Sequence, residues 1–218
     1  MPPGNSKVTK RDLQREATRR RIVETAVELL VSTGVAATTS SAVQRKAGLS
    51  RGALLHHFPT HESLFAATVR RLVEINEETV REAAAGEVFA EDPVAGAVRT
   101  LCRVVDSPSF TAELSLWAAA ATDPVLRGVL RAEELASSHD LHRVVDEVFG
   151  AELASHPRYR AAASLTVVFL RGMAISRALT SSSRTDRLME EWAGVVRELL
   201  GAKGPDQGSG VATQSGGK

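Results

Sequence analysis

Aliphatic residues recur along this chain at spacings of three and four, and no run of alternating β-branched residues is long enough to propose a strand. Ile22, Ala26, Leu29 and Leu30 share one stripe, with Arg15, Arg19, Glu24 and Glu28 elsewhere around the same helix. After Thr60 the stripe returns as Phe65, Val69, Leu72, Asn76 and Val80, and Glu74, Glu77, Glu78 and Arg81 fall on its expected wet side. The punctuation agrees with helices. Asp92-Pro93, Ser107-Pro108, Asp123-Pro124 and His156-Pro157 put proline where a first turn tolerates it, while Gly150 and Gly201 follow periodic segments as helix-ending glycines do. The pattern predicts helices over 14–33, 41–47, 51–57, 61–85, 93–106, 108–121, 124–149, 158–180 and 185–200. The expected fold is all-α, with a three-helix N-terminal unit over 13–60 joined by a long helix to a bundle within 61–200. Residues 1–12, rich in proline, glycine and lysine, are expected to be a disordered basic arm, and 201–218 a disordered tail.

Composition changes this picture little. Of 218 residues, 43% are apolar and only 4% aromatic, so aliphatic side chains must build the core. Charge is more informative. Residues 1–58 carry ten Lys or Arg against four acids, a net of +6, which leaves −5 for the rest of a chain whose total is +1. A basic lobe on an acidic body suits a polyanionic partner. Cys102 is the only cysteine, so no intrachain disulfide can form, which suits the cytoplasm. The N-terminus leads into charge and not into an apolar stretch, so no signal peptide is expected, and Leu165–Leu170 is too short to span a bilayer.

The stretch from Gly34 to Phe58 carries the candidate chemistry. Gly34 ends one helix, and Thr39, Ser40 or Ser41 can cap the next, Ser41 with Gln44 matching a capping box. Ala47-Gly48-Leu49-Ser50 then reads as a tight turn between two short helices. Ala47 permits close approach, Gly48 supplies a positive φ, Leu49 plugs the core and Ser50 caps the second helix. Leu54 and Phe58 point inward, leaving Arg51, Gly52, Leu55 and His56 on the other side. An exposed short helix entered through a serine fits the DNA major groove.

These elements resemble the TetR family of regulators. Gly34, Thr38-Thr39, Ala47-Gly48-Leu49-Ser50, Gly52, His57-Phe58 and Glu62-x-Leu64 stand at that family's spacing, over about residues 15–65. The resemblance implies a transcriptional regulator, not an enzyme. It would be a homodimer on a palindromic double-stranded DNA operator, controlled by an unidentified small-molecule effector, with no cofactor, no metal and no membrane. Ser50, Arg51, Gly52 and Ala53 would lie nearest the bases, with Ser41 and Arg45 approaching from the preceding helix. Arg51 would be the main base reader, bonding guanine O6 and N7. Thr39, Ser40, His56, Thr60 and His61 complete the DNA-facing set, and Thr39, His56, Thr60 and His61 would lie on phosphates. Leu55 replaces a phosphate-bonding tyrosine and His61 a frequent lysine; the basic arm (Lys7, Lys10, Arg11, Arg15, Arg19, Arg20, Arg21) would compensate. A ligand-binding or adaptor protein that has lost DNA binding is the alternative that Leu55 keeps open.

Downstream, Phe110, Leu114 and Trp117 make a bulky wall beside Ala118–Ala121 and are read, with Cys102, either as a ligand pocket or as plain core. Leu165, Phe169 and Gly172 on one helix and Leu188, Trp192 and Val196 on the last form broad apolar faces expected at a dimer interface. Cys102 fits an inert core thiol better than a redox sensor. His56, His57 and His61 are split by Pro59, and His139 and His142 lack a third ligand, so metal binding is not expected.

Overall fold

The computed structural model describes residues 9–85, 92–177, 179 and 181–202, without the side chains of 134–142. Helices account for nearly all of these residues: α1 (Lys10–Thr33), α2 (Ser40–Lys46), α3 (Arg51–His57), α4 (His61–Ala84), α5 (Pro93–Val105), α6 (Pro108–Ala120), α7 (Pro124–Ala154), α8 (Tyr159–Arg177) and α9 (Ser182–Leu200). Each of α1 to α7 starts at a side-chain cap. Thr9, Thr39, Ser50, Thr60, Asp92, Ser107 and Asp123 accept a backbone N–H from the first turn they precede. Proline follows three of them directly, at the starts of α5, α6 and α7.

Two boundaries differ from expectation by more than three residues. Residues 10–12 are not part of a disordered arm, because Thr9 and Asp12 form a reciprocal capping box that starts α1 four residues early. Residues 1–8 lie outside the described part. Gly150 does interrupt a helix, with φ 81° and ψ 158°, yet a further turn resumes behind it as far as Ala154.

Three apolar clusters hold the molecule. The first packs Ile22, Val23 and Ala26 of α1 with Val43, Leu54, Phe58 and Leu64, and so closes α2 and α3 against α1 and the start of α4. The second joins Val27 and Leu30 to Phe65, Val69 and Leu72 of α4 and to Ala112 and Leu116 of α6. The largest gathers Val80 with α5, α7, α8 and α9 around Tyr159 and Phe149. Ion pairs lock α4 at mid-length. Arg71 Nε donates to Glu24 Oε1 at 2.8 Å, and Arg70 grips Glu133 with two bonds at 3.0 and 2.8 Å.

The turn between α2 and α3 is built as the sequence implies, with one change. Gly48 takes φ 65°, and Leu49 packs against the first cluster. The α2 cap is Thr39, and Gln44 does not pair with Ser41. Its Nε2 donates instead to the Leu49 carbonyl at 2.9 Å and clamps the turn from the α2 side. A Cβ at position 48 would meet nothing within 4 Å, so only the backbone conformation demands glycine there. Gly48→Ala should therefore cost about 1–2 kcal/mol of unfolding free energy, and Gly48→Asn less, in urea titrations. Equal stability of all three proteins would mean that the turn relaxes freely.

Candidate functional site

Seven residues cannot hold a helix in water by themselves, so α3 exists only because Leu54 and Phe58 are sunk in the first cluster, 4% and 2% exposed. Arg19 adds a second fastening. Its guanidinium lies 4.4 Å over the Phe58 ring, and Nη1 donates to the His57 carbonyl at 3.5 Å. With that side anchored, Arg51, Gly52, Leu55 and His56 stand exposed on the other, and Ala53 is half-buried. Ser50 Oγ accepts the Ala53 N–H at 3.1 Å and fixes the entry of the helix.

Thr39, Ser40, Ser41, Gln44, Arg51, Leu54, Leu55 and His61 line one shallow groove between α2, α3 and the start of α4. Of the expected DNA-facing residues it thus gathers Thr39, Ser40, Ser41, Arg51 and His61. Arg45, Ser50, Gly52, Ala53, His56 and Thr60 lie outside the groove lining, and all but Ala53 are exposed. Ser40 Oγ sits 3.1 Å from His61 Nδ1, and the His61 ring leans on Phe65, so the N-terminus of α4 is fastened to α2. Burial, with the charges of His56, Arg15 and Arg19, lowers the His57 pKa below the usual histidine value. Positive charge on this face therefore leans less on His57 than on its arginines. Lys46 is engaged with Glu28 at 3.2 Å. Among the described residues no cluster of His, Cys, Asp and Glu is arranged to hold a metal ion; the side chains of His139 and His142 lie outside them.

A second feature, about 330 Å³ in volume, lies inside the C-terminal bundle between α4, α5, α6, α7 and α8. Phe110 and Trp117 line it, whereas Leu114 and Cys102 do not. At 100° per residue Leu114 stands roughly 40° past Phe110, outside the arc that holds Glu113, Leu116 and Trp117. Cys102 turns away from Leu101, Val104 and Val105, and lies close enough to Arg177 and Asp106 to feel their charges. Glu77, expected on the wet side of α4, also lines the cavity, with its carboxylate bonded to Arg81 Nη2 at 3.1 Å. Other polar lining groups escaped the sequence pattern: Glu113 accepts from Asn76 Nδ2 at 2.6 Å and from Arg171 Nη2 at 3.4 Å. The Arg171 guanidinium rests 4.4 Å over Trp117.

The candidate interface residues divide. Leu165 and Gly172 are exposed, together with Val168, Ile175 and Val195. Phe169 and Trp192 stack on each other within the chain, with centroids 4.7 Å apart, and Trp192 Nε1 donates to Thr166 at 3.1 Å. Leu188 is half-buried, and Val196 is wholly buried at 0% exposure, so Val196 belongs to the chain's own core and offers no surface to a partner. Among the described residues no helix is long and apolar enough to cross a membrane.

Residues 22–68 match the family profile described as bacterial regulatory proteins, tetR family, which covers α2 and α3 with the adjoining parts of α1 and α4. An uncharacterized HTH-type transcriptional regulator of Mycobacterium tuberculosis is 28% identical over 167 residues, covering 76% of this chain and 85% of its own length. In fold, the chain resembles a transcriptional regulator from Rhodococcus sp. Rha1, with a TM-score of 0.60, 20% identity, and 83% and 96% of the two chains covered. It also resembles the multidrug binding protein EbrR complexed with proflavin, with a TM-score of 0.54, 21% identity, and 84% and 99% covered.

Burial pushes the Cys102 thiol up to about 12, which leaves almost no thiolate at neutral pH. The folded protein should resist an aromatic disulfide reagent at mildly alkaline pH and react fully in denaturant; rapid labelling of the native protein would place the thiol at the surface.

Proposed function

Because the chain belongs to the TetR family of transcriptional regulators, we propose that it grips a palindromic operator as a homodimer and releases it when a small molecule fills the bundle cavity. The observation that carries the reading is the outward presentation of α3, with Arg51 at its first turn and exposed. An arginine there reaches guanine O6 and N7 across the major groove. Ser41, Arg45, Gly52 and Ala53 flank it. The helix N-termini at Thr39 and Thr60, with Ser40, His56 and His61, take the phosphates on either side. Leu55, 44% exposed in the groove, gives apolar contact where the family's tyrosine would bond a phosphate. The exposed basic positions Lys10, Arg11, Arg15, Arg20 and Arg21 of α1 supply charge in its place.

The face of α8 that carries Leu165, Val168, Gly172 and Ile175, beside Val195 of α9, is the dimer surface in this reading. It is apolar and exposed, as a face awaiting a second copy would be. Repression follows from operator occupancy. Relief follows if the effector binds better to a conformation whose two α3 helices no longer match successive grooves.

Arg51→Ala should abolish discrimination between the operator and random duplex while leaving weak, salt-sensitive binding, read by fluorescence anisotropy at stated salt. Removing residues 1–12 should weaken binding to all sequences alike and flatten the salt dependence, by about 0.9 in log–log slope for each phosphate no longer engaged; an unchanged slope would deny that segment its role. Ile175→Asp, at a position 66% exposed and outside the core, should give folded monomers by light scattering that bind DNA poorly. A dimeric Ile175→Asp protein would mean that another surface pairs the subunits.

A further inference from the structure

The chemistry of the bundle cavity points to the kind of molecule it admits. Resting on the reading of this cavity as the effector site, we propose that its occupant is an uncharged, mainly apolar molecule. It carries one amide or hydroxyl group that both gives and takes a hydrogen bond, at Asn76 and Arg171. Its volume is limited by the cavity's ~330 Å³.

The charges come first. Two carboxylates line the cavity, and each is already met by a guanidinium: Glu113 by Arg171 at 3.4 Å and Glu77 by Arg81 at 3.1 Å. Their side chains are 16% and 11% exposed, so water does little to screen them. A cationic ligand at Glu113 would have to draw it away from Arg171, whose side chain is 22% exposed, and leave that guanidinium without its carboxylate; Arg81, 39% exposed and 3.9 Å from Glu147, would lose less if Glu77 turned to a cation. An anion would compete with Glu113 for Arg171. Either exchange at Glu113 sacrifices a half-buried pair, whereas an uncharged molecule leaves it intact.

Hydrogen-bond accounting then specifies the polar group. Asn76 is 8% exposed, and its amide orientation is dictated by Glu113, because only the Nδ2 end can approach a carboxylate oxygen at 2.6 Å. The Oδ1 end is therefore an acceptor, and it is buried with no donor. On the facing helix α8, Arg171 Nε is a buried donor with no acceptor. Orphans of this kind are rare in folded proteins, and here one acceptor and one donor occur in a single chain of contacts through Glu113. A primary amide or a hydroxyl answers both; an ester, ether or ketone answers only Arg171. The remainder of the wall is aliphatic apart from the exposed Ser164, Phe110 and the Trp117 ring, and the two rings offer flat surfaces to an aromatic or alicyclic body.

Four probes of one skeleton test this on the full-length protein without DNA: naphthamide, methyl naphthoate, naphthoate and naphthylmethylammonium, by calorimetry at neutral pH. The amide should bind about tenfold or more tightly than each of the others, because a site built around a hydrogen bond rejects the analogue that lacks it. Asn76→Leu, checked for folding by its thermal transition, should bring the amide and the methyl ester to within about threefold of each other. The ester comparison needs no variant, so it stands even if Asn76→Leu does not fold. Equal or tighter binding of either charged probe, or of the ester, overturns the uncharged-amide assignment while leaving the cavity as a ligand site. No binding of any probe at millimolar concentration overturns the cavity as an effector site altogether.

Discussion

Everything in this molecule is referred to one helix that has no free apolar stripe left along its length. Leu64 of α4 closes the cluster under α2 and α3; Phe65, Val69 and Leu72 fill the cluster shared with α1, α6 and α7; Val80 enters the cluster of α5, α8 and α9. Leu72, Asn76 and Glu77 on the same helix also line the cavity. A packed interior does not deform by degrees. In the proposed effector mechanism, a molecule that alters the cavity wall would therefore displace α4 as a body, and its first turn carries His61, which is tied to Ser40 at the groove between α2 and α3. The Arg71–Glu24 bond carries the same displacement into α1. Coupling between the two ends needs no longer path than this.

The outward face of α3 is a consequence of the same economy. With seven residues and two deep anchors, Leu54 and Phe58, it turns only one side to the core, so Arg51, Leu55 and His56 are left exposed on the other. Arg19 shows how a count of basic residues misleads. Within a run that reads as a cationic arm, it is the half-buried member that holds Phe58 and the His57 carbonyl, which makes it a strut for the reading helix. Charge composition identifies the basic lobe but does not separate the strut from the exposed cations.

Local signals are readable in the amino acids because they act over a few residues. The Ser50 cap, the positive φ at Gly48, and the proline-led starts of α5, α6 and α7 are each settled by neighbours within one turn. The errors lie where the deciding partner is far away in the chain. Periodicity puts Glu77 on the wet side of α4, yet the concavity formed with α5, α6 and α8 takes it in and pairs it with Arg81. Cys102 and Val105 are equally apolar by pattern, yet Val105 lines the cavity formed with four other helices and Cys102 does not. The wide stripe of α9 suggests a surface position for Val196; the chain's own α5 and α8 consume part of that stripe, and only the remainder around Val195 stays exposed. The bond between Glu113 and Arg171 spans 58 positions, beyond anything a local pattern can encode.

The helical start of α1 alters how the basic segment works. A disordered arm must give up conformational freedom when it meets a polyanion, and that loss subtracts from every contact it makes. Thr9 and Asp12 remove part of that cost by starting a helix at Lys10, so that Lys10, Arg11, Arg15, Arg20 and Arg21 already stand on a continuous rod whose far end is embedded in the first cluster. Asp12 and Glu16 on the same exposed stretch lower its net charge without removing its direction. Such a rod gains less total electrostatic attraction than an all-basic tail of the same length, but it delivers its charges at fixed angles to α3. In the proposed DNA-binding role the segment would therefore add sequence-independent affinity from a fixed direction, because it and α3 are both rooted in the packing of Ile22, Leu54 and Phe58.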